Sequence, residues 1–114
     1  MKIAIIIPAR MSSTRLPGKP LMGIGGRPMV IHVWDRMRRM RGVDDVFIAT
    51  PDGEIAEAAS RYGAAFIMTS ERCLSGTDRV AEAAEKVRAD VIANVQGDEP
   101  LIDRRHVKKA IDTL

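Results

Sequence analysis

Arg10, Arg15 and Lys19 share one short stretch with the hydroxyls of Ser12, Ser13 and Thr14. Pro8, Pro17, Gly18 and Pro20 punctuate it, so it reads as a loop. Arginine can clamp phosphate oxygens through two parallel N–H bonds, and lysine adds a point charge. Gly18 lets backbone amides approach a ligand. Such a set suits a partner with several negative charges; the alternative is a solvated loop whose cations are incidental. No G-x-x-x-x-G-K-[ST] is present and no G-x-G-x-x-G follows the first apolar run, which disfavours a P-loop and a dinucleotide turn. Further along, Asp98 and Glu99 precede Pro100. A carboxylate beside a phosphate site is where a Mg²⁺ ligand belongs; an Asp that merely holds a turn is the alternative. Ser75, Gly76, Thr77, Asp78 and Arg79 open a helical pattern. They either present a helix N-terminus to a ligand or include an ordinary N-cap at Thr77 or Asp78.

The elements that would position these groups are legible as alternating patterns. Continuous apolar runs predict strands over 2–7, 45–50, 64–68 and 90–95. Runs without polar alternation indicate strands covered on both faces, as in a parallel sheet. Between them lie helical patterns over 28–40, 53–62 and 77–87, and a fourth starts at Asp103. Met29, Val33 and Met37 form the first apolar stripe, Ile55, Ala59 and Tyr62 the second, and Val80, Ala83, Ala84 and Val87 the third. Gly42 and Gly63 are the expected stops. Four βα units of this kind predict an α/β, doubly wound, mostly parallel sheet with right-handed crossovers. Ligands bind such sheets beyond the carboxyl ends of the strands. The basic loop, residues 50–53 and residues 96–100 all follow strands, and residues 75–79 open the third helix. All should converge on one crevice.

Composition narrows the classes further. The chain has 114 residues, enough for one domain with a workable core. Its first 42 residues hold nine Lys or Arg against the single acid Asp35, whereas the other 72 hold nine against fourteen. A basic first third fits an anionic ligand or a nucleic-acid surface. Arg36, Arg38, Arg39 and Arg41 fall at a helix C-terminus, where cations complement the dipole. Two Phe, one Trp and one Tyr offer few platforms for base stacking, which argues against nucleic acid. Every apolar run is far shorter than the ~20 residues that cross a bilayer. The run after Lys2 is also short of the ~7–15 residues of a signal core. No membrane partner and a cytoplasmic location are therefore expected. Cys73 is the only cysteine, so an internal disulfide is impossible, and no base is evident beside it. His32 and His106 lack metal-ligand spacing. No nucleophile–base pair is evident anywhere. Nucleotidyl transfer needs none if the acceptor's hydroxyl attacks, because positioning and charge neutralisation carry the catalysis.

Three stretches carry a family resemblance: IIPARMSSTRLPGKPL at 6–21, MTSERCLSGTDRV at 68–80 and NVQGDEPLI at 94–102. In this order and spacing the chain resembles the 3-deoxy-manno-octulosonate (Kdo) cytidylyltransferases, or CMP-Kdo synthetases. The first stretch alone also suits cytidylyltransferases of the spore-coat-polysaccharide type. The resemblance implies a Rossmann-like nucleotidyltransferase fold. It also implies transfer of CMP from CTP to Kdo, with Mg²⁺, for lipopolysaccharide synthesis. By matching position, Arg10 and Lys19 would grip the CTP phosphates with Arg15 assisting, and Pro8 and Ala9 would be nucleotide-binding beside them. Asp98 would ligate Mg²⁺, making Arg10, Lys19 and Asp98 the catalytic set. Gln96 would face the ribose or sugar, and Ser75, Gly76, Thr77 and Arg79 would line the nucleotide pocket. Two residues depart from the pattern. Cys73 stands where the family has His, and Pro51 stands where the family runs Thr-Asp directly. Family members are longer and are expected to be homodimers. Residues 1–114 correspond to their N-terminal, CTP-binding part, without the half that supplies much of the sugar site and dimer interface. A non-catalytic nucleotide-binding fragment is the alternative.

Overall fold

Ile3, Ala4, Ile5, Ile6 and Ile7 offer no polar position to turn toward water, so this segment needs cover on both faces. In the computed structural model, which describes residues 2–12, 19–73 and 75–95, all of them are buried within the first strand. In chain order the elements are β1 (Ile3–Pro8), a single 3-10 turn (Lys19–Leu21), β2 (Gly23–Ile24), β3 (Arg27–Pro28), α1 (Met29–Arg38), β4 (Asp45–Thr50), α2 (Gly53–Arg61), β5 (Phe66–Met68), α3 (Gly76–Ala84) and β6 (Val91–Asn94). The main sheet is parallel, in the order β5-β4-β1-β6. Ile5 pairs with Val46 on one side and Ala93 on the other, so β1, like β4, is an interior strand. The fourth helix expected from Asp103 lies outside the described residues.

The two sides of β1 feed two separate cores. Ile5 and Ile7 pack with Val30, Val33 and Met37 of α1 and with Ile55 and Ala59 of α2. Ile6 and Ala49 pack with Ala83 of α3, and Ile67, Val80 and Ile92 close around them. Helices therefore cover both faces, as the alternation of apolar runs predicted. Each fully buried isoleucine contributes about 1.5–3 kcal/mol relative to exposure.

Cover is not equal across the sheet. Phe66 and Met68 on β5 remain 39% and 42% exposed, and β6 is only half-buried. The expectation of two covered faces holds for β1 and fails for β5, because β5 ends the described sheet and has β4 as its one neighbour there. A second difference is the small antiparallel pair β2–β3, which periodicity did not reveal. Gly25 and Gly26 join it with φ of +58° and +84°. Positive φ at both central residues defines the I′ turn that matches strand twist, and glycine reaches it without a Cβ penalty.

The arginines around α1 have a local explanation. Asp35 is nearly buried, with Arg38 Nη2 at 2.8 Å, Arg39 Nε at 3.2 Å and Arg27 Nη1 at 3.8 Å from its oxygens. Arg38 also lies over the Trp34 ring, 4.7 Å from its centroid. Burial pushes the Asp35 carboxyl up, but hydrogen bonds from Arg38 and Arg39, and their charges, outweigh it and hold it below the usual carboxylate range. A lowered folded-state pKa stabilises the fold above the ordinary carboxylate value of about 3.9 and ceases to do so as pH falls through the lowered value. Asp35→Asn is thus expected to cost about 1 kcal/mol at pH 7, since the arginine heads are half in water. In urea melts the gap between Asp35→Asn and the parent should shrink steadily as pH is taken from 5 to 2.

Candidate functional site

A parallel sheet delivers every strand's carboxyl end to one edge, and the strand order fixes the place along that edge where a ligand fits. From β1 the chain steps to β4 and then β5 on one side, and β6 returns to the other side of β1. Helices α1 and α2 consequently pack on one face and α3 on the opposite face. The crevice opens where the winding direction reverses, beyond the ends of β1 and β6. Arg10 stands two residues past β1 at that point and is partly exposed. Pro8 and Ala9 before it are buried, so their contribution is to aim the chain.

Backbone bonds tie the strand ends together. Ala9 N–H donates to the Ala49 carbonyl at 2.9 Å, and Val95 N–H donates to the Ile6 carbonyl at 3.2 Å. On the far side, Thr69 N–H donates to the Thr50 carbonyl at 2.9 Å. The start of the basic loop, the 50–52 turn, Thr69 and the exit of β6 therefore share one edge. That convergence was expected from the positions of the motifs, and the structure provides it for the described residues.

The third motif sits as follows. Ser75, rather than Thr77 or Asp78, is the N-cap of α3: its Oγ accepts the Asp78 amide at 3.1 Å. The helix consequently begins at Gly76, one residue ahead of the expected start. Ser75 and Thr77 are exposed and Gly76 is partly so. Backbone N–H groups of a first turn have no acceptor within their helix and carry its positive dipole end, which suits a phosphate or a ribose oxygen.

Arg79 behaves differently from its neighbours. It is only 2% exposed, and its Nη1 donates to Thr69 Oγ1 at 2.6 Å and to the Ser70 carbonyl at 3.0 Å. Ser70 N–H in turn donates to Glu82 Oε2 at 2.7 Å, and Cys73 Sγ is 4.0 Å from Glu82 Oε1. The guanidinium is thereby committed to fastening the strand end after β5 onto α3. Thr69, Ser70 and Glu82 were not singled out from sequence. Their bonds join residues on different elements, and no local pattern signals them. Asp52, which lies within residues 50–53 at the end of β4, accepts the Met11 amide through Oδ2 at 2.8 Å, a bond no local pattern signals.

Lys19 is the first residue of the 3-10 turn. Arg15, Gln96 and Asp98 lie outside the described residues. Among the described residues no group of three His, Cys, Asp or Glu could hold a metal ion, and no helix is long and apolar enough to cross a membrane.

Comparison with known proteins bears directly on this geometry. Residues 4–114 match the family model described as cytidylyltransferase. The 3-deoxy-manno-octulosonate cytidylyltransferase of Anaeromyxobacter sp. (strain Fw109-5) is 53% identical over 115 residues, covering 99% of this chain and 45% of that protein. Its counterpart from Geobacter sulfurreducens is 50% identical over 114 residues, covering 100% of this chain and 46% of that protein. Among solved structures, a CMP:2-keto-3-deoxy-manno-octonic acid synthetase complexed with CTP superimposes with a TM-score of 0.95 at 45% identity. That match covers 99% of this chain and 47% of the other. The chain thus spans less than half the length of the relatives it matches.

Proposed function

The chain belongs to the cytidylyltransferase family, and on that premise we propose that it is the CTP-binding part of an enzyme that transfers CMP to Kdo. The observation that carries the proposal is the superposition, over nearly the whole chain, on a synthetase holding CTP. The relatives' names favour Kdo over a spore-coat sugar.

In this proposal the triphosphate lies across the end of β1. Arg10 and Lys19 hold the β- and γ-phosphates with Arg15 beside them, while the first turn of α3 at Ser75, Gly76 and Thr77 borders the nucleoside. Gln96 faces the ribose or the sugar. The anomeric hydroxyl of Kdo attacks the α-phosphorus in line. A bond forms from that oxygen to the phosphorus as the bond to the β-phosphate oxygen breaks, giving CMP-Kdo and pyrophosphate. Charge accumulates on the departing pyrophosphate, and fixed cations there stabilise the transition state more than the ground state. Asp98 is the hard oxygen donor suited to Mg²⁺, which when bound would neutralise phosphate charge. Lipopolysaccharide synthesis, a cytoplasmic setting and a homodimer in the longer family members belong to the same proposal.

Calorimetric titration of the folded chain with CTP, with and without Mg²⁺ and against ATP, tests it. Saturable, CTP-selective binding that tightens with Mg²⁺ is expected. A chain that is folded by circular dichroism and shows no CTP binding would overturn it.

A further inference from the structure

We propose that Asp52 is the positioning residue of the phosphate loop: its carboxylate fixes the backbone just past Arg10 and so sets the path on which that arginine leaves the sheet. The role rests on the CTP-binding proposal for its ligand, but the tether itself stands on geometry alone.

The ladder between β1 and β4 supplies the first part of the case. Its last bond runs from Ala9 N–H to the Ala49 carbonyl. The next amide on that side is two residues on, at Met11. At the matching place on the neighbouring strand the chain has Pro51, and the Met11 amide is taken instead by Asp52 Oδ2 at 2.8 Å. The sheet ends there, with the backbone held on both sides of Arg10. A bond from an amide to an ionised carboxylate is about twice as strong as one between neutral groups.

The second part is what Asp52 gives up. It occupies the N-cap of α2 with extended backbone angles (φ −99°, ψ 123°), yet its side chain makes no capping bond. An Asp at that position ordinarily holds amides of its own helix. Here the carboxylate is committed to an amide 41 residues away in sequence. Its own amide is anchored to Thr50 Oγ1 at 3.1 Å, and Thr50 is fully buried. Thr50, Asp52 and Met11 thus form a fixed chain from the core of the sheet to the loop. The departure at Pro51 leaves a carboxylate close by: the Asp that the family resemblance places directly after the Thr is found one residue later.

Asp52→Ala and Asp52→Asn, with Glu57→Gln on the exposed face of α2 as control, separate this role from a structural one. Asparagine keeps an acceptor oxygen, so it should restore most of what alanine loses. We expect Asp52→Ala to weaken CTP binding about tenfold by calorimetry and to speed hydrogen exchange at the Met11 amide. Asp52→Asn should stay within about threefold of the parent, and Glu57→Gln should be unchanged. Accelerated exchange confined to the first turn of α2, with Met11 protection and CTP affinity intact, would show a helix cap and overturn the proposal. If the parent chain binds no CTP, the function proposed above fails by itself, and Met11 exchange still decides whether Asp52 holds the loop.

Discussion

Arg10→Ala is expected to weaken CTP binding roughly a hundredfold while leaving the urea midpoint nearly unchanged. Two charge-assisted hydrogen bonds to phosphate are worth about 3 kcal/mol together, and each 1.4 kcal/mol is a factor of about ten. The stability half of the expectation follows from exposure: Arg10 lies past the end of β1, partly in water, with buried Pro8 and Ala9 behind it. Arg10→Lys keeps the charge but loses the planar fork, so a loss of about tenfold is expected. Lys19→Ala should fall between these two. Arg38→Ala and Arg39→Ala provide the contrast. Both guanidiniums are already paired with Asp35, so CTP affinity should change by less than about threefold. Similar losses for all four alanine variants, with a steep salt dependence, would instead identify a diffuse polyanion surface. Calorimetry at two salt concentrations makes the distinction.

That contrast also shows what a linear sequence can carry. The charge excess of the first third reads as one feature in the sequence, and folding divides it in two. Arg27, Arg38 and Arg39 turn on Asp35, whereas Arg10 lies at the crevice. Spacing revealed the second arrangement because a parallel sheet sends every residue that follows a strand to the same edge. The first is partly local as well, since Arg38 and Arg39 lie three and four residues past Asp35, and only the Arg27 contact depends on β3 packing beside α1. The strands were legible for a related reason. A run such as residues 45–50 must be buried whatever its neighbours are, and it forms β4 with those bounds. The hairpin at Gly25 and Gly26 carried its signal in two glycines, but strands of two residues are too short to show a period. The bonds that hold the crevice together were invisible altogether. Met11 to Asp52 and Arg79 to Thr69 each join a donor and an acceptor on different elements. Their pairing follows from the register of the sheet and the docking of α3, both of which are global outcomes.

Arg79 shows most sharply how a residue picked for the right region can have another job there. The family resemblance places it in the nucleotide pocket. Its guanidinium, however, is buried and donates to the Thr69 hydroxyl and the Ser70 carbonyl. Arg79→Ala would leave the buried Thr69 hydroxyl without this donor and open a cavity between α3 and the end of β5. Losing a charged donor and leaving a buried acceptor unpaired costs about 1–3 kcal/mol. For a domain of this size that is a large share of a total near 5–15 kcal/mol. A direct nucleotide contact predicts the opposite pattern: lost CTP affinity with an unchanged urea midpoint. We therefore expect Arg79→Ala to lower the urea midpoint strongly. Arg79→Lys should recover part of the loss, since both acceptors are met by the one nitrogen Nη1 and an ammonium also has donors for two, but on a stem without the planar fork that holds it in place. CTP affinity measured at low temperature, where the variant is still folded, should fall by less than the Arg10→Ala loss. In the proposed CTP site the two arginines are thus expected to part company, Arg79 lowering stability and Arg10 lowering affinity.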